Sequence, residues 1–232
     1  MKTYSTVAGA CYMLVCMTPT HAVERKLVLG GDIVPAGTKT YTTGIRRTAS
    51  GNNVCGGTLI SPTHVITASH CGSNYDIRWV SVGSHYINGT IDGEQIKVVS
   101  IMNNPNYESG QFPNDYAILE LAKPSSFRPA KLAAADDSDY APDLPLWDDE
   151  NCTKKMDTDS SMICAGGIAN KDSCEQDSGG PLILETGSQD VLIGLSSWGP
   201  SPCGYPGAPG VYARISHARP WIDSIINGTC LA

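Results

Sequence analysis

Beyond its first two dozen residues the chain shows few helical stripes. Short β-branched runs alternate with Gly, Pro and Asn. The pattern predicts strands at His64–Thr67, Ile77–Val82, Gln95–Ile101, Tyr116–Leu121, Pro181–Leu184, Val191–Ser197 and Gly210–Arg214. Short strands with turn signals at this spacing argue for an all-β sandwich or barrel. The C-terminus is the exception. Pro220, Trp221, Ile222, Ile225 and Ile226 repeat at near-helical spacing and predict one amphipathic helix with Pro in its first turn. The most loop-like stretch, Ala133 to Pro145 (AAADDSDYAPDLP), would join two halves. There is no internal repeat, low-complexity tract or long linker.

The first residues follow another pattern. Lys2 precedes an apolar stretch from Val7 to Met17, and Thr20-His21-Ala22 ends it on small residues. This predicts a secretory signal over residues 1–22 and an extracellular destination. The competing reading, a buried first helix or strand, fits less well a stretch so short and so close to the terminus. Nine cysteines among 232 residues also point to an oxidising compartment. Removing the leader takes Cys11 and Cys16 with it. Seven cysteines remain, an odd number, so one thiol is expected to be free or paired between chains.

Composition narrows the function classes. At 41% hydrophobic and 17% charged residues the chain is too apolar for disorder. It can fill one core, or two small barrels that share one. No run reaches the roughly 20 apolar residues of a membrane helix. The net charge of −7 becomes −8 without Lys2, and no basic run is present. That is a poor basis for binding nucleic acid or anionic membranes. Sequons at Asn88-Gly89-Thr90, Asn151-Cys152-Thr153 and Asn227-Gly228-Thr229 are glycosylation candidates. Asn-Gly also marks a turn whether or not it carries a glycan.

Candidate chemistry lies in three separated stretches. In Asp172-Ser173-Cys174-Glu175-Gln176-Asp177-Ser178-Gly179-Gly180-Pro181, a Ser sits between an Asp and two glycines, in chain that exposes its backbone. A Ser is a weak nucleophile without a base. The candidate base is His70, in Thr67-Ala68-Ser69-His70-Cys71. Asp115, at the mouth of an apolar run, can fix an imidazole tautomer. Each alone is weak evidence, since a DSGG string usually marks only a turn. Together they run in the order His, Asp, Ser, the order used on double β-barrels.

With those residues in place the chain resembles the trypsin/chymotrypsin family of serine proteases. The resemblance rests on CGGTLI at 55–60, TASHC at 67–71, NDYAILEL at 114–121, DSCEQDSGGPL at 172–182, SWG at 197–199 and PGVYARI at 209–215. It implies two antiparallel six-stranded barrels and a C-terminal helix. It divides the chain into a leader (1–22), a short pro-segment (23–27) and a protease domain (28–232). The implied roles are Ser178 as nucleophile, His70 as base and then acid, and Asp115 as orienting carboxylate. Asp172 is implied at the floor of a pocket for Arg or Lys, with Gly199 and Gly210 as its walls. Ser197 and Trp198 would pair with substrate backbone. The implied disulfides are Cys55–Cys71, Cys152–Cys164 and Cys174–Cys203, which leaves Cys230 over. The implied activity is secreted endopeptidase cleavage after Arg or Lys.

Four departures qualify that expectation. Gln176 stands where the family has the glycine whose N–H joins that of Ser178 in the oxyanion hole; one lost donor costs about 2.7–4 kcal/mol. The implied activation pair is Val28 with Asp177, yet Leu27 separates Val28 from Lys26, so cleavage after Lys26 leaves a terminus one residue too long. About two strands are absent between Asp115 and Ser178, so the second barrel is expected to be shortened. In the loop where some members bind calcium, Ser84 replaces a ligating Glu and only Asp92 and Glu94 follow. No metal and no cofactor is expected. A metal site of His70, Cys71 and Cys174 lacks paired ligand spacing.

Within the family the chain is similar to the glucanase inhibitor proteins of oomycetes, through Gly37-Thr38-Lys39-Thr40-Tyr41 and Ser61-Pro62-Thr63-His64-Val65. The resemblance implies an alternative: a secreted protease homologue that binds and blocks a plant endo-β-glucanase. Several of that group have lost triad residues, whereas this chain has kept all three. The expected partners are a peptide or protein substrate, a plant endoglucanase or a protease inhibitor.

Overall fold

The computed structural model describes residues 28–88, 90–138, 146–174, 177–186 and 189–228. Six strands close into an antiparallel barrel: β2 (Thr42–Arg46), β3 (Cys55–Ser61), β4 (His64–Thr67), β5 (Trp79–Val82), β6 (Glu94–Asn103) and β7 (Ala117–Leu121), in the order β2-β3-β4-β7-β6-β5. Alternation explains β6, where Ile96 and Val98 are buried while Lys97 and Val99 face solvent. Ile45, Leu59, Val65, Val80 and Leu119 belong to the same buried cluster.

The second half is a sheet in the order β11-β12-β13-β9. Its strands are β9 (Met162–Ala165), β11 (Pro181–Leu184), β12 (Val191–Trp198) and β13 (Gly210–Arg214). The short β8 (Lys131–Leu132) runs parallel to the start of β12. Among the described residues this sheet does not close, as expected from the shortened stretch. Another two-residue pair, β1 (Val28–Leu29) with β10 (Asp172–Ser173), stands apart. The helices are α1 (Ser69–Asn74), α2 (Asp149–Lys155) and α3 (Ile215–Ile226).

All seven predicted strands recur, β4, β11 and β13 with the same ends, and β1, β2, β3, β8, β9 and β10 are additions. The helix differs more. Pro220 lies at the sixth position of α3, not in its first turn. Buried Ile215 and Ala218 carry the apolar face upstream, and their burial outweighs the one hydrogen bond that Pro220 cannot donate. In β3, glycines hide the period. Gly56 is small because another backbone docks on it, a Cβ there lying 2.9 Å from Gly180 Cα, whereas a Cβ on Gly57 would crowd the Val65 side chain at 2.9 Å. Residues 139–145 of the expected joining loop lie outside the described residues.

The two halves meet through backbone. Gly56 N–H donates to Ser178 O (2.8 Å), and Thr67 Oγ1 donates to Gly56 O (2.8 Å). Gly179 sits beside them at φ +75°, where a Cβ would come within 2.1 Å of Thr67 Oγ1 and 2.7 Å of Gly56 O. Further out, the Lys39 ammonium and the Tyr41 hydroxyl both reach Asp190 Oδ2 at 2.7 Å. Burial would raise the Asp190 pKa, but the hydrogen bonds from Lys39 and Tyr41 outweigh it and hold it below the ordinary value.

Two outcomes follow for stability. Gly179→Ala should lower the free energy of unfolding by at least about 3 kcal/mol, measured by urea titration, because both the left-handed backbone and the missing space oppose a Cβ. A depressed carboxylate contributes stability above its unfolded pKa of about 3.9, and that contribution is lost as pH falls through the folded value. Asp190→Asn should therefore cost about 1–2 kcal/mol at neutral pH. It should also flatten the acid side of the stability profile, read as unfolding midpoint against pH.

Candidate active site

Asp115 is the centre of the site. It is fully buried at the entry to β7, after Asn114, whose φ is +56°. Its Oδ1 accepts the backbone N–H of His70 (2.9 Å). Its Oδ2 accepts His70 Nδ1–H (2.8 Å) and the Ser197 hydroxyl (2.6 Å). With Nδ1 as donor, the His70 tautomer leaves Nε2 as an acceptor on the far side of the ring. His70 is the second residue of α1, held there by the Cys55–Cys71 disulfide and by Ser69 Oγ, which donates to Tyr116 O (2.6 Å).

Ser178 lies in a tight reversal between β10 and β11. Asp177 N–H donates to Cys174 O (2.9 Å), and Cys174 N–H donates back to Asp177 Oδ2 (2.9 Å). Gly179 N–H reaches Ser196 O (2.7 Å), and Gly180 N–H reaches Asp177 O (2.8 Å). These bonds fix the backbone on both sides of Ser178. Its hydroxyl and His70 Nε2 do not share a hydrogen bond in this structure, although His70 and Asp115 are fully engaged. Gln176, the second expected oxyanion donor, lies outside the described residues.

The expected pocket residues come together. Asp172 is buried, and its Oδ2 accepts Gly204 N–H (3.1 Å) while its buried Oδ1 has no partner. Gly210 faces that free oxygen; a Cβ there would stand 2.8 Å from it. Gly199 lies against Gly210, its own ideal Cβ 3.6 Å from Gly210 Cα. The Cys174–Cys203 disulfide ties the two sides together. An anionic oxygen without a partner, walled by glycines, suits a long cationic group. Burial, and then the charges of Asp172 and Asp177, hold the Tyr212 phenol above its ordinary pKa against the Ser173 hydrogen bond.

The other expected positions fall as follows. The backbone of Val28 pairs with Ser173, at the edge of the pocket floor, while the Asp177 carboxylate caps its own loop. All three expected disulfides are present. Asn151 and Asn227 are exposed, whereas Asn88 is half-buried with its side-chain oxygen enclosed. Cys230 lies outside the described residues. His70, Cys55 and Cys71 form the one metal-like cluster among the described residues, but the two sulfurs are bonded to each other at 1.97 Å and are not thiolates. Cys174 is likewise committed to Cys203.

Two site residues escaped the sequence reading. Phe112 stacks on Trp198 with ring centroids 5.0 Å apart and planes 24° from parallel. Together they make an aromatic platform beside the strand that carries Ser197. Phe112 is 45% exposed and is one of two phenylalanines in the chain, three residues before Asp115. A large exposed aromatic in so polar a loop was the available signal. Tyr107 is the second. Burial, and then the Asp115 charge, hold its phenol above the ordinary pKa.

Comparison with known proteins agrees with this geometry. The profile of the Trypsin family matches residues 28–143 and 140–222. The chain is 48% identical to glucanase inhibitor protein 3 of Phytophthora infestans, over 98% of this chain and 100% of that protein. It is 45% identical to glucanase inhibitor protein 1 of Phytophthora sojae, over 97% and 99%. A trypsin of Saccharopolyspora erythraea is 35% identical over 72% of this chain and 85% of its own length. The first of these alignments runs over 260 positions, more than the 232 residues here, so that relative carries residues with no counterpart in this chain. The chain belongs to the trypsin family.

Proposed function

We propose that this chain is a secreted protease homologue that binds and blocks an endo-β-glucanase, on a scaffold that has kept most of its catalytic parts. The observation that carries this reading is the likeness along the whole chain, 48% to glucanase inhibitor protein 3 over 98% of its length, against 35% to a trypsin over 72%. Three features agree with it. Among the described residues the second sheet is short of strands and Ser178 Oγ is not hydrogen-bonded to His70, and in the sequence Gln176 replaces an expected glycine donor. In this reading residues 1–22 are removed on secretion, residues 23–27 are a short pro-segment, and residues 28–232 are the working part. The sequons at Asn88, Asn151 and Asn227 would be offered to the glycosylation machinery on that route.

A second reading has its own observation. The Asp115–His70–Ser197 network is complete, and Asp172 Oδ1 is a buried oxygen without a hydrogen-bond partner. These favour an endopeptidase that cleaves after Arg or Lys. His70 Nε2 would take the Ser178 proton as Ser178 attacks the carbonyl. His70 would then return it to the leaving amine, while Asp115 orients the ring throughout. The N–H of Ser178, with that of Gln176, would stabilise the oxyanion.

One pair of assays separates them. Purified protein beginning at Val28 is titrated into an endo-β-glucanase, and separately mixed with an Arg-terminated chromogenic peptide, alongside Ser178→Ala. The expected result is glucanase inhibition that Ser178→Ala leaves unchanged, with no peptide turnover above that variant. Peptide turnover that Ser178→Ala lowers by several orders of magnitude establishes the endopeptidase instead. Failure to inhibit, from folded protein, removes the inhibitor reading.

A further inference from the structure

The loop over residues 83–95 is where the family likeness implies calcium, and its side chains do not fit that ion. Ser84 offers a hydroxyl in place of a carboxylate, and donates it to Asp92 Oδ1 (2.7 Å). Asp92 Oδ2 is already taken by His85 N–H (2.9 Å). The Glu94 carboxylate is engaged elsewhere, accepting the Ser126 N–H at 3.1 and 3.2 Å and its hydroxyl at 2.5 Å. Both loop carboxylates are thus spent on hydrogen bonds from protein donors. Calcium takes six to eight oxygens at 2.3–2.6 Å, typically with several carboxylates among them.

A different cation reaches this loop. Arg46, at the end of β2, is fully buried. Its Nε donates to Asn53 Oδ1 (2.7 Å). Its Nη1 is directed at Gln95 Oε1 (3.0 Å) and at the backbone oxygens of Asn88 (3.3 Å) and Ala49 (3.4 Å). All four partners are neutral oxygens: Asn88 and Gln95 supply two from the middle and the C-terminal end of the loop, and Ala49 and Asn53 supply two from the turn after β2. That is the kind of donor set a hard cation uses, presented to a guanidinium. Burial lowers the Arg46 pKa to about 10, with the Asp92 charge opposing the fall, so the group remains a cation at neutral pH. Its Nη2 is buried without a partner, which leaves charge, more than full hydrogen bonding, as what the loop gains.

We infer that Arg46 is a tethered cation that organises the loop over residues 83–95 in place of a divalent ion. A charge on the chain itself is not lost to chelators. Its burial cost is met once, on folding, and not at each binding event. The loop's geometry is therefore indifferent to calcium supply.

The test is thermal unfolding of the purified chain in EDTA and in millimolar calcium chloride, with Arg46→Lys and Arg46→Met beside it, plus limited proteolysis to locate the first cut. The expected result is superimposable melts of the unsubstituted protein in the two buffers. Arg46→Met should melt at least about 4 °C lower and be cut first within residues 83–95. Arg46→Lys, which keeps the charge but not the fork, should fall between them. Should Arg46→Met fail to fold, a folded Arg46→Lys with an intermediate melt still supports the inference. A melt of the unsubstituted protein that rises with calcium overturns it. So does an Arg46→Met that melts and is cut like the unsubstituted protein, or an Arg46→Lys no more stable than Arg46→Met.

Discussion

The most deeply buried carboxylate that links the two halves of this molecule is Asp115. It is wholly enclosed, and it collects donors from two places: His70, at the start of α1 in the first barrel, and Ser197, on β12 of the second sheet. Enclosing a carboxylate without partners costs several kcal/mol, whereas hydrogen bonds to a charged acceptor return about 1.5–3 kcal/mol each. The arrangement is therefore favourable only when complete. Its neighbour Tyr116 repeats the link, with its hydroxyl 2.6 Å from Ser161 O and 2.9 Å from Arg214 O across the same junction. The position of His70 and the docking of the two halves are thus one interaction seen twice.

The halves it joins are built unequally. The first closes on itself and has no sheet edges. The second ends at β11 and β9, and every residue of β11 is half-buried where core strands elsewhere are buried. The end at β9 is partly covered, since Leu146 bridges to Ala165 and Trp147 N–H donates to Cys164 O (3.0 Å). Two of the three disulfides, Cys152–Cys164 and Cys174–Cys203, lie in this second half. Cross-links there limit the unfolded ensemble where apolar burial contributes less. Ser178 and Asp172 are carried by that half, while His70 and Asp115 belong to the barrel. The site therefore straddles a rigid body and a stapled one.

Local residue order made part of this legible. His70 and Ser178 announce themselves through Cys71 and Gly179, whose cross-link or small size the local chain requires, and Asp115 through the apolar run that follows it. The three disulfides followed from the same likeness. What escaped depends on distant partners. Phe112 acquires its meaning only from Trp198, 86 residues away, and nothing in its own segment names that ring. Arg46 reads as an ordinary strand-end cation until the oxygens of Asn88 and Gln95 surround it. The sixth-position Pro220 misled because a local rule about first turns was set against burial of Ile215 and Ala218. Gly56 and Gly57 concealed a strand because what they accommodate, the Gly180 backbone and the Val65 side chain, comes from elsewhere in the chain.

The same reasoning changes the weight of an intact triad. His70 and Asp115 are usually read as evidence of catalysis, because their hydrogen bond prepares a base. Here that bond also satisfies a carboxylate that would otherwise be buried unpaired at the junction of the two halves. A chain that never cleaved a peptide would still lose stability if either residue were exchanged. Their presence therefore discriminates poorly between an enzyme and a binding protein. The discriminating residues lie on the other side, in the reversal from Cys174 to Gly180, whose backbone must present N–H groups to an oxyanion. Gln176 stands in sequence where the family has Gly, and the hydroxyl of Ser178 makes no hydrogen bond to the ring it would need. Stability alone gives the fold reason to keep His70 and Asp115.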